Sequence, residues 1–311
     1  MKNSYKEIFD NGFHIFDELL NKEKINDLFN KMTDARTFSA DLFTSEKEYN
    51  TLQKNHFYSN PTTDFNFLNK FSDDLKFIEE NTAIKGLITE FLGDDYEIVI
   101  KKLVCGVPKS WLPEWVKIKI DGVNVANLGP YIKQKYRDIT YFRGIDFHQD
   151  IIDFPKGKTD LDPSTFMTLY VYLHNVGIYD SPLHVIPKSH QFGATLFPHK
   201  LDKLIGNNFC YKGDNGQKMD CNDKVLTGKL GYTAIWHNCT LHGTRPMDHE
   251  SDKFRISLRY LIGKSNSNSQ RTLIDEVNSK INGDLQPVKT RQDLDSSGKP
   301  IIHGKLNIEL D

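Results

Sequence analysis

The chain has 311 residues, of which 38% are hydrophobic and 26% are charged, and its formal net charge is −2. This composition is typical of a globular protein with one large domain or two small ones. A charge so close to zero gives no indication of a nucleic-acid-binding surface. The absence of any run of about 18 apolar residues argues against a transmembrane helix and a membrane partner.

The cysteines and the first residues indicate the cellular compartment. Cys105, Cys210, Cys221 and Cys239 are scattered and form no C-x-x-C pair, so we interpret them as reduced thiols and not as a disulfide framework or a zinc site. The first residues lack the apolar core of a signal peptide, and we therefore expect a cytoplasmic protein.

The first third of the chain is patterned mainly for helices. A short strand is predicted at residues 13–16, and an amphipathic helix at 22–32, where apolar residues recur at helical spacing. Residues 33–72 show no clear period and are expected to be irregular. One helix is predicted from about 74 to 92, ending at Gly93.

The pattern then changes to that of strands. Strands are predicted at 96–104, before and through His148 to Asp150, and at 165–173, 183–186, 231–236 and 254–262. The long polar stretch at 193–229 is expected to be a surface excursion that covers the site. The polar tail from 264 onward is expected to be an appendage with one short helix near 273–281.

Helices followed by many short strands predict a mainly β protein with flanking helices, in which a closed or double-layered antiparallel sheet has helices packed on one side. We assign residues 1–263 to a single domain with N-terminal helices and an insertion near 193–229. Residues 264–311 form a polar C-terminal extension.

The candidate chemistry starts from His148 and Asp150. Two residues that are two apart on a strand point to the same face, so these side chains can hold one metal ion together. A second histidine from a later strand would complete a set that leaves half of the coordination sphere of Fe(II) open. A chain with 11 histidines and 42 acidic residues contains such a tripeptide by chance, so its weight depends on the other motifs.

Four motifs in order carry a resemblance to the phytanoyl-CoA dioxygenase (PhyH) family, which consists of Fe(II)- and 2-oxoglutarate-dependent oxygenases. They are Phe147-His148-Gln149-Asp150, the run from Ser181-Pro182 to Ser189-His190, Leu241-His242-Gly243-Thr244, and Phe254-Arg255-Ile256-Ser257. The resemblance covers about residues 5–262 and implies a double-stranded β-helix, also called a jelly roll, which is cupin-like.

The resemblance also implies roles for individual residues. His148, Asp150 and His242 match the family's iron ligands, and Arg255 with Ser257 matches the anchor for the distal carboxylate of 2-oxoglutarate. Tyr170 matches a strand position that contacts this cosubstrate. The expected activity is hydroxylation of a small molecule, with 2-oxoglutarate and O₂ converted to succinate and CO₂.

Some assignments stay open at this point. His237 competes with His242 for the third ligand position, and Arg259, four residues along the same strand face, competes with Arg255. The chain also departs from the family in having Lys188 where a glycine is usual, and in a longer spacing from His242 to Arg255.

The alternative function is a catalytically silent jelly-roll protein that binds a metabolite or a sugar. The complete set of three ligands and an arginine favours the enzyme, and Asp150 argues against halogenation, which needs a small residue at that position. Desaturation and ring formation are not distinguished from hydroxylation.

The segment 128–146 is a candidate pocket wall, with Tyr131, Tyr141 and Arg143. Its basic residues, Lys133, Lys135, Arg137 and Arg143, indicate either an anionic substrate or ordinary solvated loop charges.

Overall fold

The computed structural model describes residues 2–16, 18–51, 61–121, 125–153, 161–206, 208–245, 253–266 and 270–286. Its α-helices are α1 (Lys2–Asn11), α2 (Lys22–Ala35), α3 (Glu46–Thr51), α4 (Ser72–Glu79), α5 (Thr82–Leu92), α6 (Glu114–Ile120) and α7 (Leu273–Asn278). Its strands are β1 (Phe13–Phe16), β2 (Glu97–Gly106), β3 (Val125–Asn127), β4 (Thr140–His148), β5 (Phe166–Tyr172), β6 (Leu183–Val185), β7 (Lys200–Lys203), β8 (Asn208–Lys212), β9 (Lys218–Asn222), β10 (Lys224–Leu226), β11 (Thr233–His237), β12 (His242–Thr244) and β13 (Arg255–Gly263). None of the helices in these ranges is long and apolar enough to cross a membrane.

One large sheet dominates the fold. Its strand order is β1-β11-β5-β13-β2-β4-β12-β6-β10, and β3 pairs with β4. The sheet curls on itself, as shown by the contacts that Asp150, just after β4, and His242, at the start of β12, make with Trp236 of β11 across the interior. The expected mainly β jelly roll with flanking helices is confirmed.

The two faces of β13 show how the sheet is partitioned. Ile256, Leu258 and Tyr260 point outward into the large apolar cluster that also contains residues of α2 and α5. Arg255 and Ser257 alternate with them and are fully buried on the opposite, interior face. Burial of each large apolar side chain contributes roughly 1.5–3 kcal/mol, so the outward stripe holds the strand while the interior stripe is left for polar groups. This alternation agrees with the sequence-based prediction.

The helical region differs from the prediction in two places. The single helix expected at 74–92 is two helices, because the side chain of Asn81 accepts hydrogen bonds from the backbone N–H groups of Ala83 at 3.0 Å and Ile84 at 3.3 Å and so starts a new helix. The region 33–72, expected to be irregular, contains α3 and short 3₁₀ turns at Ala40–Leu42 and Phe67–Phe71. Residues 52–60 lie outside the described part of the chain.

The excursion at 193–229, expected to be an irregular surface segment, contains regular strands, and its role as a cover over the site stays a prediction. Strands β7, β8 and β9 form a three-stranded antiparallel sheet, and β10 pairs with β6 in the main sheet. Leu201, Phe209 and Tyr211 pack against Phe147 and other buried residues of the main sheet. Phe147 alternates with His148 along β4, so this packing supports the face opposite to the one that carries the histidine.

The C-terminal segment packs onto the domain as far as it is described. Ile274 and Val277 of α7 are buried, and the backbone N–H of Ala194 donates to the carbonyl of Asp284 at 2.6 Å. The short helix expected near 273–281 is present as α7, and the described part of the tail contacts the rest of the domain. Residues 287–311 of the proposed extension lie outside the described ranges.

The close packing around Gly12 can be tested by substitution. A Cβ atom at Gly12 would lie 2.5 Å from Nδ1 of His190 and 2.6 Å from Oγ1 of Thr240, and its φ of +84° disfavours any other residue. We expect Gly12→Ala to lower the free energy of unfolding by about 2–4 kcal/mol. Chemical denaturation measures the change.

The matched control is Gly86→Ala, because Gly86 lies inside α5 and its Cβ would have nothing within 4 Å. This substitution is expected to stabilise the protein by about 0.5–1 kcal/mol. Equal effects of the two substitutions would contradict the packing described around Gly12.

Candidate metal centre

Three side chains that could bind a metal ion meet on the interior face of the curled sheet. His148 ends β4, His242 begins β12, and the two are direct partners in the register of these strands. One potential ligand atom from each of them and one from Asp150 lie within 4.8 Å of one another. No other group of three such residues occurs in the described part of the chain. The structure therefore brings together the three residues that the resemblance implied.

Asp150 reaches this position by a route that differs from the prediction. β4 ends at His148, and Asp150 opens a 3₁₀ turn, Asp150–Asp153, so the two residues do not share a strand. Gln149 lies at the turn between these two residues. Its buried side-chain amide donates to the carbonyls of Gly193 and Cys239, both at 2.7 Å, and accepts from the N–H of Thr195 at 2.9 Å. These bonds link three distant segments and set the position of the carboxylate.

The two histidines have their second nitrogen held by the backbone. Nδ1 of His148 lies 3.0 Å from the carbonyl of Asp146, and Nδ1 of His242 lies 3.0 Å from the carbonyl of Thr240. A carbonyl only accepts, so Nδ1 carries the proton in both rings. In the neutral rings this leaves the lone pair of Nε2 free for a metal ion, as in most metal sites with histidine ligands.

The carboxylate of Asp150 is 1% exposed and is surrounded by donors. Oδ2 accepts from Oγ1 of Thr168 at 2.6 Å and from Nε1 of Trp236 at 3.3 Å, and Oδ1 accepts from Nη2 of Arg259. Burial by itself would raise the pKa of Asp150, but the neighbouring guanidinium of Arg259, with the imidazoles of His242 and His148 close by, holds that pKa well below its usual range. The group is thus an ionised carboxylate, the form that binds metals.

His237, the competitor for the third ligand position, has other partners. Its Nε2 lies 2.9 Å from Oδ1 of Asn278, and its Nδ1 accepts from the backbone N–H of Cys239 at 3.1 Å. Burial lowers its pKa to about 4, which keeps the ring neutral. His237 joins α7 to the sheet and is not part of the group around Asp150.

Arg255 is a buried cation without an acceptor. Its side chain is fully buried, and none of its three guanidinium nitrogens makes a hydrogen bond within the described structure. The guanidinium carbon lies 5.0 Å from the ring centroid of Phe142 and 5.7 Å from those of Tyr170 and Tyr172. Cation–π contacts offset only part of the desolvation of such a charge, so the position is suited to an anionic ligand.

The other predicted cosubstrate residues surround this guanidinium. Ser257 follows Arg255 on the interior face, and its buried hydroxyl also has no hydrogen-bond partner among the described residues. Tyr170 lies between Arg255 and Trp236, whose ring centroid is 5.9 Å from that of the tyrosine. Arg259, the rival anchor, is instead paired with Asp150.

The basic residues at 133–143 contact other parts of the protein. Each has a local structural partner: Arg137 donates to the carbonyl of Ile132, Lys133 to that of Asp41, Arg143 to that of Val107, and Lys135 lies over the ring of Tyr136. Tyr131 and Tyr141 pack with the apolar cluster beneath the helices. These contacts favour the alternative of ordinary structural charges, and the assignment of 128–146 as a pocket wall stays a prediction.

Sequence reasoning missed the side chains that support the carboxylate. Thr168 lies two residues before Tyr170 in the predicted strand 165–173, and Trp236 precedes the histidine competitor, but the sequence links neither residue to Asp150. Thr168 and Trp236 are direct register partners on β5 and β11. The alternation of side chains along these two strands predicts which residues share a face. It does not predict that Asp150 lies opposite Thr168 and Trp236 across the interior.

Comparison with known proteins gives a likeness in fold. No protein-family model matches the chain, and no curated protein matches it. Among solved structures, the chain is similar to the non-heme alpha-ketoglutarate-dependent epimerase SnoN from nogalamycin biosynthesis, with a TM-score of 0.50, 12% identity, and coverage of 84% of this chain and 81% of SnoN. SnoN in complex with Fe³⁺, alpha-ketoglutarate and nogalamycin RO gives the same score and identity, with 85% and 83% covered. At this identity the likeness is one of fold.

The metal centre is tested by substitution of its three side chains. We expect His148→Ala, Asp150→Ala and His242→Ala to weaken Co(II) binding by more than about 100-fold, since loss of a supporting residue alone costs 10- to 100-fold. Titration under anaerobic conditions measures the affinity. His237→Gln is the matched control and should bind Co(II) normally; loss of binding in this variant alone would contradict the assignment of His242.

Proposed function

We propose that this chain is an Fe(II)- and 2-oxoglutarate-dependent oxygenase that hydroxylates a small molecule. The observation that carries the proposal is the placement of the unpartnered Arg255 on the same interior face as the group formed by His148, Asp150 and His242. When bound, Fe(II) and 2-oxoglutarate supply the oxidation of an unreactive C–H bond by O₂, with release of succinate and CO₂.

The three ligands suit Fe(II) by their chemistry. Two neutral imidazoles and one ionised carboxylate are the donor set of non-heme Fe(II) oxygenases, in which three protein ligands leave room for other ligands. His148 and His242 present Nε2 because Nδ1 is held by a carbonyl in each case. Thr168 and Trp236 keep the Asp150 carboxylate in one orientation, which limits the rearrangement that metal binding requires.

Arg255 would bind the distal carboxylate of 2-oxoglutarate. A guanidinium donates two parallel hydrogen bonds to a carboxylate, and such charge-assisted pairs are stronger than neutral ones. The hydroxyl of Ser257 supplies a further donor, and Tyr170 provides an aromatic side to the same cavity. Occupation by a dicarboxylate would give the buried polar groups of Arg255 and Ser257 the partners that they lack in the protein alone.

The surrounding interior is apolar. Val185 and Leu226 from one part of the sheet pack with Tyr172, Trp236 and Phe13 from the other. Such a lining keeps bulk water away and strengthens the electrostatic contacts of the bound ligands.

We further propose that the chain is a PhyH-like oxygenase, and the presence of its four motifs in the family's order supports this. The likeness in fold to SnoN is compatible with this, and epimerisation is an additional outcome that the assay below must detect. A cytoplasmic location belongs to the same proposal, since Cys105, Cys210, Cys221 and Cys239 are all unpaired.

The decisive experiment supplies Fe(II), 2-oxoglutarate and O₂ with a panel of small metabolites and measures succinate. We expect at least one metabolite to stimulate succinate release and to gain one oxygen atom by mass spectrometry, and Asp150→Ala to abolish both. If a metabolite changes in stereochemistry without a gain in mass, the reaction is assigned as epimerisation and not as hydroxylation. If a metabolite binds tightly but no metabolite of the panel stimulates succinate release, the catalytically silent binding protein is favoured.

Arg255 provides a test in which stability and ligand binding change in opposite directions. Arg255→Met removes a buried cation without a partner, so we expect the ligand-free protein to gain roughly 1–3 kcal/mol in free energy of unfolding. The same change should weaken 2-oxoglutarate binding by about 10- to 100-fold and leave Co(II) binding intact. Thermal melting with and without 2-oxoglutarate measures both effects.

Arg137→Lys is the matched control, because Arg137 is a buried arginine whose partners are backbone carbonyls. It should leave 2-oxoglutarate binding unchanged. If Arg255→Met destabilises the protein and keeps its 2-oxoglutarate affinity, Arg255 is a structural residue and the cosubstrate anchor lies elsewhere.

A further inference from the structure

Arg259 contacts the candidate metal ligand Asp150 directly. It lies on the interior face of β13, with Tyr170 of β5 and Lys102 of β2 as its register partners on either side. Its Nη2 forms an ion pair with Oδ1 of Asp150, and its side chain is 14% exposed while that of the aspartate is 1% exposed. A cation is thus fixed to one oxygen of the carboxylate.

The two oxygens of Asp150 face different surroundings. Oδ2 lies 3.5 Å from Nε2 of His242 and is held by Thr168 and Trp236. Oδ1 is occupied by the guanidinium of Arg259. Oδ2 therefore lies near the nitrogen that would share a metal ion with the carboxylate.

We propose that Arg259 is a positioning residue that makes Asp150 a one-oxygen ligand. Carboxylates bind metal ions through one oxygen or through both. A second oxygen from Asp150 would occupy a position on the metal that a bidentate 2-oxo acid needs. By holding Oδ1, Arg259 keeps that position available; this inference rests on the proposed function, because it concerns the same metal centre.

The positive charge of Arg259 has a separate and opposite consequence. It stabilises the buried carboxylate in the metal-free protein and repels a divalent ion. Both effects weaken metal binding, so the arginine reduces metal affinity while it preserves access for the cosubstrate. A residue that merely helped the site to fold would instead increase metal affinity.

Three variants separate the hydrogen bond from the charge. Arg259→Met removes both, and Arg259→Gln keeps a donor for Oδ1 but removes the charge. Lys102→Leu removes a cation from the opposite register position and leaves the ion pair with Asp150 in place. Each is titrated with Co(II), whose visible spectrum reports the number of ligands, and then with 2-oxoglutarate.

We expect Arg259→Met to bind Co(II) about tenfold more tightly, as a nearby unit charge implies. Its spectrum should show an additional ligand, and its 2-oxoglutarate affinity should fall at least about fivefold, the usual lower size of coupling between two ligands. Arg259→Gln should also bind Co(II) more tightly but keep the wild-type spectrum and 2-oxoglutarate affinity. Lys102→Leu should keep the wild-type spectrum.

Two results would overturn the proposal. One is loss of Co(II) binding in a folded Arg259→Met protein, and the other is the same spectral change in Lys102→Leu, which would assign the effect to charge alone. If Arg259→Met does not fold, Arg259→Lys takes its place. Arg259→Lys must then match the wild type in both titrations, and Arg259→Gln must differ from it only in Co(II) affinity. Any other pattern rejects the role of Arg259. Failure of the wild type to bind Co(II) or 2-oxoglutarate would instead reject the proposed function.

Discussion

A buried carboxylate needs hydrogen bonds and a compensating charge, and the interior of this protein is arranged to supply them to Asp150. Its donors come from β5, β11 and β13, while its own position depends on the turn after β4. One ionised group thus connects the two parts of the curled sheet. Because unpaired buried charge is costly, the strand packing around it and the placement of the histidines are interdependent.

The interior face of β13 carries two arginines that differ in their contacts. Arg259 is neutralised by Asp150, whereas Arg255, four residues away on the same strand, makes no hydrogen bond to the described residues and lies near three aromatic rings. An engineered core would not retain a guanidinium of the second kind, since an apolar residue of similar size is more stable there. Under the proposed function, a bound dicarboxylate offsets this cost in stability.

Local patterns predicted what depends on local periodicity. The alternation of β13 assigned Arg255 and Ser257 to one face and Ile256 and Leu258 to the other, because period two is a property of the strand itself. The split between α4 and α5 was missed although Asn81, a strong helix-starting residue, was visible. Strand β8 was missed too, although Phe209 and Tyr211 alternate with less apolar residues.

What could not be predicted depends on contacts between distant segments. The amide of Gln149 bonds to backbone groups of Gly193 and Cys239, and nothing in the local sequence around it indicates these partners. The choice between His237 and His242 was of the same kind, since it depended on Asn278 reaching one of them.

The register between β4 and β12 has a consequence for the mechanics of the fold. β12 is only three residues long, and its pairing with β4 includes a bulge after the direct partnership of His148 and His242. A metal ion shared by these two side chains would link the two strands across this short pairing. Strand pairing and ion binding would then be thermodynamically linked. A bound ion would suppress local separation of β4 from β12, and separation of these strands would release the ion.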